Sequence, residues 1–446
     1  MCEVLVPERV LKIIKRLSGS GFEAYAVGGC VRDSLMGKTP NDWDITTSAL
    51  PQQIKAALPE YKSIDVGIQH GTVCIISEGE KVEVTSFRTD GKYTDNRHPE
   101  SVSFTSSLHE DLSRRDFTIN AMAYNDKDGI VDIFGGAADI RKHIIRCVGE
   151  PERRFNEDAL RILRGMRFAS VLGFEIEEDT AKAIHSNKSL LENISAERIN
   201  AELDKLLCGG AAKRILLEYS DVFQVFIPEI TECIGFHQYG KKHAYDVWEH
   251  ICHTVGEVEG DRILRLTMLL HDLGKPETHA LNEAGESTFE NHAAVGSRIA
   301  HEILHRLKYD KRTIMSVSRL IKYHDFKIPE SKPEAKRLLM KVSPEEYLQL
   351  LEIKRADRAA LSESFRDVSE KLVVARALLT QILENGECFT LDALAVNGND
   401  LKRAGIEPAQ RAEYLNILLG MVADGEVDNS PAALGSAIAR LKDNKV

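Results

Sequence analysis

The sequence predicts a mixed α/β (α+β) head followed by a long all-α remainder, and three observations lead to this fold class. Short apolar segments of β type, separated by glycines, occupy residues 1–150. After Pro151 the apolar residues recur with helical periodicity as far as the C-terminal region. A chain of 446 residues also exceeds what one hydrophobic core supports. We therefore expect several domains, with joints near Pro151, near 228–240 and after about residue 362.

The individual elements follow from the same patterns. Alternating or continuous apolar segments predict strands at 23–29, 43–48, 72–77, 81–87 and 118–125. Helical periodicity predicts helices at 155–170, 195–208, 244–258, 262–272, 292–307, 311–324, 346–361 and 365–384.

Composition narrows the class of protein. Apolar residues make up 43% and charged residues 28%, as in an ordinary folded protein. The eight cysteines form no CxxC pair, which argues against a zinc ribbon or disulfide framework and for a reducing cytosol. No apolar run is as long as a membrane span and MCEVLVPERV is not a secretory signal, so we expect a cytoplasmic protein without a membrane partner. The net charge of −11 means that any RNA partner must be held by local basic patches.

The head contains a glycine pair at a strand end. Gly28 and Gly29 follow an apolar strand and precede a helix that contains Arg32 and Asp33. A strand, a glycine turn and a helix N-terminus expose backbone N–H groups that can bind phosphate, although glycine pairs also mark ordinary turns. The stretch is therefore a candidate phosphate site.

Three acidic residues follow on neighbouring strands. Strand alternation places Asp42 and Asp44 on one face, where they repel each other unless a cation lies between them. The pair is thus a candidate Mg²⁺ site, and a solvated acidic turn is the alternative. Glu83, in a later apolar strand, shares its face with Lys81 and Thr85. Three acids beneath a glycine loop would suit nucleotidyl transfer with two metal ions.

These motifs together resemble a known family. GGCVRD (28–33), DWD (42–44), RRDFTINAMAY (114–124) and EDALRILRGMRF (157–168) are similar, in this order, to the motifs of the class II tRNA nucleotidyltransferase and poly(A) polymerase family. The resemblance covers about residues 22–210 and implies a nucleotidyltransferase head of polymerase-β type. It implies that Asp42 and Asp44 hold Mg²⁺, with Glu83 as the third carboxylate on the strand pattern. The implied nucleotide-binding residues of the head are Gly28, Gly29, Arg32, Asp33, Arg115, Asp116 and Asn120.

The stretch 157–168 has two interpretations. By itself it predicts a helix with intrahelical ion pairs such as Glu157–Arg161. The family resemblance implies instead that Asp158 and Arg161 read the base, since a carboxylate and a guanidinium together match the donor and acceptor edge shared by C and A. Arg164 and Arg167 would then contact phosphate or primer, or brace the reading pair.

The implied activity is the addition of CCA to the 3′ end of tRNA from CTP and ATP. Residues 88–105 resemble the flexible loop that permits the switch to ATP and that CC-adding enzymes lack. An enzyme that adds only the final A, or a poly(A) polymerase, remains an alternative. Two alternative functions belong to other classes of protein. One is a metal phosphohydrolase in which the head provides RNA specificity, and the other is a non-catalytic RNA-binding scaffold. The intact pair Asp42 and Asp44 argues against both.

A second constellation lies in the helical part. Four predicted helices deliver imidazole or carboxylate groups that could converge on one or two divalent metal ions. The contributing residues are His250, His271, Asp272, His292, His324 and Asp357. Their order, H…HD…H…H…D, resembles the HD-type metal phosphohydrolases, with His292 and His324 as the extra ligands of two-metal members. That resemblance implies one or two divalent transition metals of unknown identity.

These expectations divide the chain into four parts. We expect a nucleotidyltransferase head (palm) at 1–150 and a helical, base-reading and RNA-binding neck at 151–235. An HD metal-binding helical domain at 236–365 and a helical tail at 366–446, with a possible tRNA contact, complete the chain. The oligomeric state is not indicated by any sequence feature.

Overall fold

The computed structural model describes residues 4–65, 68, 71–91 and 102–443 of the chain. The fold separates into two compact units, Met1–Pro228 and Glu229–Val446. The first unit contains the sheet that the sequence predicts, and the second is almost entirely helical, so the predicted fold class is confirmed.

The first unit is built on a seven-stranded mixed sheet with the strand order β3-β4-β5-β2-β1-β8-β9. Its central pair, β2 and β5, is parallel, and the other neighbours are antiparallel. The strands of this unit are β1 (Ala24–Val27), β2 (Asp44–Thr47), β3 (Lys62–Ile64), β4 (Thr72–Ser77), β5 (Glu80–Ser86), β6 (Arg88–Asp90), β7 (Val102–Phe104), β8 (Ala123–Asn125), β9 (Gly129–Val131), β10 (Ile144–Ile145) and β11 (Glu175–Ile176).

Helices cover and extend this sheet. The helices of the first unit are α1 (Glu8–Gly19), α2 (Gly29–Leu35), α3 (Pro51–Ala57), α4 (Leu108–Ser113), α5 (Gly136–Lys142), α6 (Pro151–Glu157), α7 (Leu160–Leu172), α8 (Glu178–Asn187), α9 (Ala196–Leu207), α10 (Ala212–Glu218) and α11 (Ser220–Phe223), with 3₁₀ turns at Thr118–Asn120 and Lys188–Asn193. The apolar spacing explains their packing: α1 buries Val10, Ile13, Ile14 and Leu17, which recur on one helical face.

The second unit is a helical array with one small hairpin. Its helices are α12 (Val247–Glu257), α13 (Arg262–Leu270), α14 (Lys275–Thr278), α15 (His292–Arg306), α16 (Lys311–Tyr323), α17 (Lys332–Leu339), α18 (Pro344–Ala359), α19 (Ser369–Glu384), α20 (Gly398–Arg403), α21 (Pro408–Asp424) and α22 (Pro431–Asp443). Strands β12 (His279–Leu281) and β13 (Ser287–Phe289) form the antiparallel hairpin. Short 3₁₀ turns lie at Pro228–Glu232, Glu363–Phe365 and Leu391–Ala393. Among the described residues, no helix is long and apolar enough to cross a membrane.

Two sequence predictions of single elements were wrong. The strand predicted at 118–125 is a 3₁₀ turn at Thr118–Asn120 and a strand only at Ala123–Asn125. The Thr118 hydroxyl donates a buried hydrogen bond to Asp139 (2.7 Å), and this tertiary contact replaces regular strand pairing.

The helix predicted at 155–170 is interrupted between α6 and α7. Asp158 has extended backbone angles (φ −137°, ψ 104°). Its carboxylate accepts a hydrogen bond from the Leu160 N–H (3.1 Å), so the side chain caps the start of α7 instead of continuing α6. Arg161, Arg164 and Arg167 therefore share one helix, α7, which Asp158 precedes.

The loop expected at 88–105 is described only at its ends. Strands β6 and β7 pair in antiparallel register, with Arg88 opposite Phe104. Residues 92–101 lie outside the described residues.

Candidate functional site

The three acidic residues of the head lie together on the central strands of the sheet, where β2 begins. Asp44 opens β2 and stands directly opposite Glu83 of β5 in the parallel register. Asp42 precedes β2 by two residues, and both aspartates are exposed while Trp43 between them is buried. Adjacent parallel strands thus bring carboxylates that are 39 or more positions apart in the sequence to one surface.

The electrostatics of Asp44 reflect this crowding. Desolvation, then the negative charges of Glu83 and Asp42, raise the pKa of Asp44 to about 6, while Arg115 opposes the shift. Because the Asp44 side chain is exposed to solvent, repulsion between the carboxylates is the main physical reason for its raised pKa. A divalent cation would relieve that repulsion, and the donor set consists of the hard oxygen ligands that such a cation takes.

The glycine turn lies next to these acids. Gly28 has φ +83°, a conformation that favours glycine, and its N–H donates to the Met122 carbonyl (3.1 Å). A Cβ at Gly28 would lie 3.1 Å from Nη1 of Arg115. The turn leads into α2 at Gly29, so the sequence pair serves both a backbone bend and the close approach of a guanidinium group.

A chain of hydrogen bonds connects the remaining predicted residues of the head. Arg32 Nη1 donates to Asn120 Oδ1 (2.8 Å), and Asn120 Nδ2 donates to Asp116 Oδ1 (3.1 Å). Arg164 donates twice to Asp116 Oδ2, from Nε (2.8 Å) and Nη2 (2.6 Å). Asp33 accepts from Arg32 Nε (2.8 Å). The structure therefore links α2, the 3₁₀ turn and α7.

Asp116 remains ionised in this network. Burial alone would raise its pKa, but the charge and hydrogen bonds of Arg164, together with Asn120, lower the pKa to about 2. Asp116 thus acts as a fixed anion that holds one amide and one guanidinium group in place.

Three arginines surround one aromatic ring. The guanidinium carbons of Arg32, Arg164 and Arg167 lie 5.2, 5.5 and 4.1 Å from the centroid of Phe168, within the range of cation–π contacts. Arg167 Nε also lies 3.0 Å from the buried carboxylate of Glu202. Each of these arginines also pairs with a carboxylate, so the ring and the acids together fix the positions of three guanidinium groups.

Asp158 and Arg161 have different partners. Arg198 Nη2 donates to both Asp158 oxygens (3.3 and 3.0 Å). Arg161 is buried, and its guanidinium donates to the Glu157 carboxylate (2.8 Å) and to the carbonyl of Arg114 (3.0 Å). The ion pair Glu157–Arg161 that periodicity predicts is therefore present, but it is buried and not a solvated surface contact.

Four histidines converge in the second unit. The Nδ1 atoms of His271, His292 and His324 each face a backbone carbonyl, of Met268, Phe289 and Ile321, at 2.7–2.8 Å. This assigns the Nδ1–H tautomer to each ring, so each Nε2 has a free lone pair. His250 contributes its Nε2 from α12, at 3.1 Å from Asp357 Oδ1.

The carboxylate of Asp272 lies between two pairs of these imidazoles. Its Oδ2 is 3.4 Å from His250 Nε2 and 3.3 Å from His271 Nε2. Its Oδ1 is 3.6 Å from His292 Nε2 and 3.7 Å from His324 Nε2. Two potential metal-binding groups therefore share Asp272, which is the arrangement of a carboxylate that bridges two cations.

The buried polar atoms of this cluster fit a metal ion. Among the described residues, His271 Nε2 is buried without a hydrogen-bond partner, and the buried Asp272 Oδ2 has the Lys275 ammonium 2.6 Å away. Burial would raise the pKa of Asp272, but His271 and Lys275 hold it well below its usual value, so the carboxylate is ionised. Burial lowers the pKa of His250, which favours the neutral ligand form. Imidazole with carboxylate is a donor set for transition metals.

Sequence reasoning missed three residues that build this centre. Lys275 is buried and donates to Gln238 Oε1 (2.8 Å), and its Nζ lies 2.6 Å from Asp272 Oδ2. A Cβ at Gly274 would lie 2.4 Å from the His292 carbonyl oxygen, so only glycine allows the start of α14 to approach α15 this closely. The lysine and glycine directly follow the predicted His–Asp pair, whereas no local signal marks Gln238.

Several basic residues that could contact RNA are buried or already paired with a carboxylate of the same chain. Arg154 and Lys354 are buried. Arg337 donates two hydrogen bonds to Asp424 (2.6 Å each), and Lys336 lies 2.7 Å from Glu387. These groups support the fold more directly than they offer charge to a polynucleotide.

Comparison with known proteins gives the same picture of separate modules. The chain matches family models described as Poly A polymerase head domain at 24–146, as Probable RNA and SrmB- binding site of polymerase A at 173–234, and as HD domain at 242–361. Fold and site thus define a nucleotidyltransferase head in one chain with an HD module. Both kinds of module generally use divalent metal ions.

Individual relatives narrow the family. The chain is 34% identical to the CCA-adding enzyme of Limosilactobacillus fermentum over 434 residues, which cover 96% of each protein. It is 46% identical to the CCA-adding enzyme of Geobacillus thermodenitrificans over 266 residues, 58% of this chain and 65% of that protein. The crystal structure of the Bacillus stearothermophilus CCA-adding enzyme in complex with CTP superposes with a TM-score of 0.74, at 31% identity and over 99% of both chains. The chain therefore belongs to the family of CCA-adding enzymes.

Proposed function

We propose that this chain adds CCA, from CTP and ATP, to the 3′ end of tRNA. The observation that carries this proposal is the register of Asp44 opposite Glu83, with Asp42 beside them and Gly28 at the neighbouring strand end. The relatives described above are named for the same activity. The family models at 24–146 and 173–234 are named for poly(A) polymerase, but the relatives that match nearly the whole chain are named for CCA addition.

The carboxylates of the head would hold Mg²⁺ through Asp42 and Asp44, with Glu83 as a third ligand or as a base beside them. When bound, the metal lowers the pKa of the attacking 3′-hydroxyl and neutralises charge on the triphosphate. The side chains and backbone of the protein would orient the nucleotide. Gly29, at the start of α2, presents its backbone N–H group to phosphate, while Gly28 provides the bend before it. Arg32 and Arg115 supply positive charge on the same side.

Asp116 and Asn120 act as braces in this proposal. Their hydrogen bonds connect Arg32 of α2 to Arg164 of α7, so the phosphate-binding and base-reading elements keep a fixed distance. Precise placement of the reacting groups is a large part of catalysis in phosphoryl and nucleotidyl transfer.

Asp158 and Arg161 would select the base. A carboxylate accepts from the amino group of C or A, and a guanidinium donates to the adjacent ring nitrogen, whereas U and G present the opposite pattern. For this to happen Arg161 must exchange one of its contacts to Glu157 or to the Arg114 carbonyl for the base. Nucleotide binding is therefore coupled to a rearrangement at the junction of α6 and α7.

Transfer of labelled nucleotide tests the activity. The full chain is incubated with Mg²⁺ and with CTP or ATP. Three tRNA substrates are compared: one that lacks the whole CCA end, one that carries only the first C, and one that carries both C residues. We expect the enzyme to add two C residues from CTP and then one A from ATP. Asp42→Asn and Asp44→Asn should each remove incorporation without loss of the fold.

We further propose that the HD centre binds one or two divalent transition metals and hydrolyses phosphate esters. The observation that favours it is the shared carboxylate Asp272 between two imidazole pairs, beside the buried His271 Nε2, which has no hydrogen-bond partner among the described residues. When bound, the metal supplies a nucleophilic hydroxide and polarises the phosphoryl oxygen. Trimming of a damaged tRNA end before its repair would give both modules one substrate.

Hydrolysis of a 2′,3′-cyclic nucleotide tests this second activity. The metal-loaded chain should release phosphomonoester, and His271→Ala should not. Retention of full hydrolysis by His271→Ala would contradict the proposal, while metal analysis reports whether the site was filled. The four-part division into head, neck, HD domain and tail, at 1–150, 151–235, 236–365 and 366–446, remains part of this proposal.

A further inference from the structure

A cavity opens directly onto the HD centre. It has a volume of about 450 Å³, and its floor includes Asp272, His292, His324 and Asp357. Binding pockets for small molecules typically measure about 300–1,000 Å³. The space in front of the metal-binding groups therefore accommodates more than an inorganic ion.

One wall of this cavity is basic. It is formed by Lys241, Lys242 and His243, which we call the basic wall. Among the described residues, neither Lys241 nor Lys242 has an ion pair or side-chain hydrogen bond, in contrast to Lys275, which is tied to Asp272 and Gln238. The two ammonium groups are thus available to an anion at the mouth of the centre.

The basic wall is held at both ends. Upstream, Tyr239 N–H donates to Ser287 Oγ (2.9 Å) and its carbonyl accepts from the Ser287 N–H (2.8 Å). Downstream, the Lys242 carbonyl accepts from the Ser362 N–H (3.1 Å), and His243 pairs with Leu361 in an antiparallel bridge. The segment is fixed relative to β13 and to the end of α18, so its charges are positioned before a ligand arrives.

His243 adds a neutral group to this wall. Burial, then the positive charges of Lys275 and Lys242, lower the pKa of His243 to about 3. Its ring stands edge-on to Phe289 at a centroid distance of 6.1 Å, and its Nδ1 is buried without a hydrogen-bond partner. The positive charges of Lys275 and Lys242, which add to the effect of burial on His243, also favour a bound anion.

Acidic groups also line the cavity and reduce its positive potential. Asp325 is paired with Lys354 (3.3 Å), and Glu286 accepts weakly from the Asn282 amide (3.4 Å). Asp272 and Asp357 belong to the metal-binding groups, where cations would offset their charge. Glu286 has no cationic partner among the described residues, so its charge offsets one of the two lysines. Lys241 and Lys242 therefore leave one net positive charge on the open side.

We propose that the basic wall binds the phosphate of a phosphate ester, with its organic part against the aromatic residues of the cavity, and so holds the ester over the HD centre. Lys242 is the principal anion contact, Lys241 assists it, and Phe289 and Phe365 offer apolar surface to a base or sugar. This inference rests on the proposed metal-binding function of the HD centre and assigns its substrate-binding residues.

Binding of inorganic phosphate to the full chain loaded with Mn²⁺, measured by calorimetry, tests the inference without reliance on turnover. His271→Ala identifies the binding that belongs to this centre. Lys242→Ala should weaken that binding about 10-fold and Lys241→Ala/Lys242→Ala further, because each removes a charge-assisted contact. Lys242→Arg should restore most of it, and both alanine variants should keep the wild-type number of bound metal ions.

Lys327→Ala is the matched control, since this lysine of the same unit is exposed and paired with Glu334. Its phosphate affinity should equal that of the wild type. In hydrolysis assays Lys242→Ala should raise KM about 10-fold with a smaller change in kcat.

The outcomes separate the two proposals. Unchanged phosphate affinity and KM in the double variant would overturn the basic wall and leave the hydrolase intact. Phosphate binding that depends on Lys242, in a chain that hydrolyses no ester, would support the basic wall and overturn the hydrolase.

Discussion

The Nε2 atoms of His292 and His324 lie 3.2 Å apart, although the Nδ1 atom of each ring already faces a backbone carbonyl. Two imidazole lone pairs that face each other in a buried site repel unless a proton or a metal ion lies between them. The Asp272 Oδ1 atom, 3.6 and 3.7 Å away, completes a site for a cation. This contact is the geometric observation that most directly supports the proposed metal site of the second unit.

Metal binding should stabilise the protein, and removal of one of these imidazole rings should reduce the number of metal ions bound. Treatment with a chelator should lower Tm, and an added transition metal at about 100 times its Kd should restore about 2.7 kcal/mol. His324→Ala should bind one metal ion fewer than the wild type by elemental analysis, because the group that contains His250 and His271 is left intact. Equal metal content in both proteins would contradict the two-site arrangement.

Asp44 should reduce stability when no metal is present. Its pKa is raised to about 6 in the folded protein, above the usual value of 3.8, so its ionised form disfavours folding. Asp44→Asn should therefore raise Tm of the metal-free protein above pH 6, and the gain should disappear as the pH falls from 6 to below 4. Mg²⁺ should narrow the difference at pH 8. Thermal unfolding across this pH range measures both effects, and an Asp44→Asn variant that is less stable at pH 8 would contradict the account.

Asp116 should matter for stability as well as for activity. Asp116→Asn leaves the Arg164 guanidinium without its anion, and we expect a loss of about 2 kcal/mol, moderated by the partial exposure of Arg164. Urea unfolding measures the loss. The double variant Asp116→Asn/Arg164→Gln should lose less than the sum of the single variants, and strict additivity would show that the pair is not coupled.

The arginines of α7 should differ in their effect on nucleotide choice. Arg161→Ala should reduce discrimination of CTP and ATP against UTP and GTP, with a stability loss of about 2 kcal/mol because Glu157 and buried carbonyls lose a donor. Arg167→Ala should slow all nucleotides alike. Incorporation rates for the four nucleotides check this, and equal losses with selection intact would contradict base reading by Arg161.

Local sequence patterns could predict which residues are candidates for the two sites, because each candidate belongs to a short motif. Alternation placed Asp42 and Asp44 on one face, and the helical positions of His271 and Asp272 indicated a metal-binding helix end. Helical periodicity could not predict the break at Asp158, since a capping side chain competes with the helix through one hydrogen bond. The partners Arg198 of Asp158 and Gln238 of Lys275 come from distant segments, and only tertiary packing selects them.

The most direct test of the central claim is the order of nucleotide addition to tRNA that lacks its 3′ end. The account predicts that the purified chain with Mg²⁺ adds two C residues and then one A, that it rejects UTP and GTP, and that Asp44→Asn adds nothing. Failure to incorporate CTP into tRNA that lacks all three nucleotides, by a folded and metal-loaded protein, would contradict it.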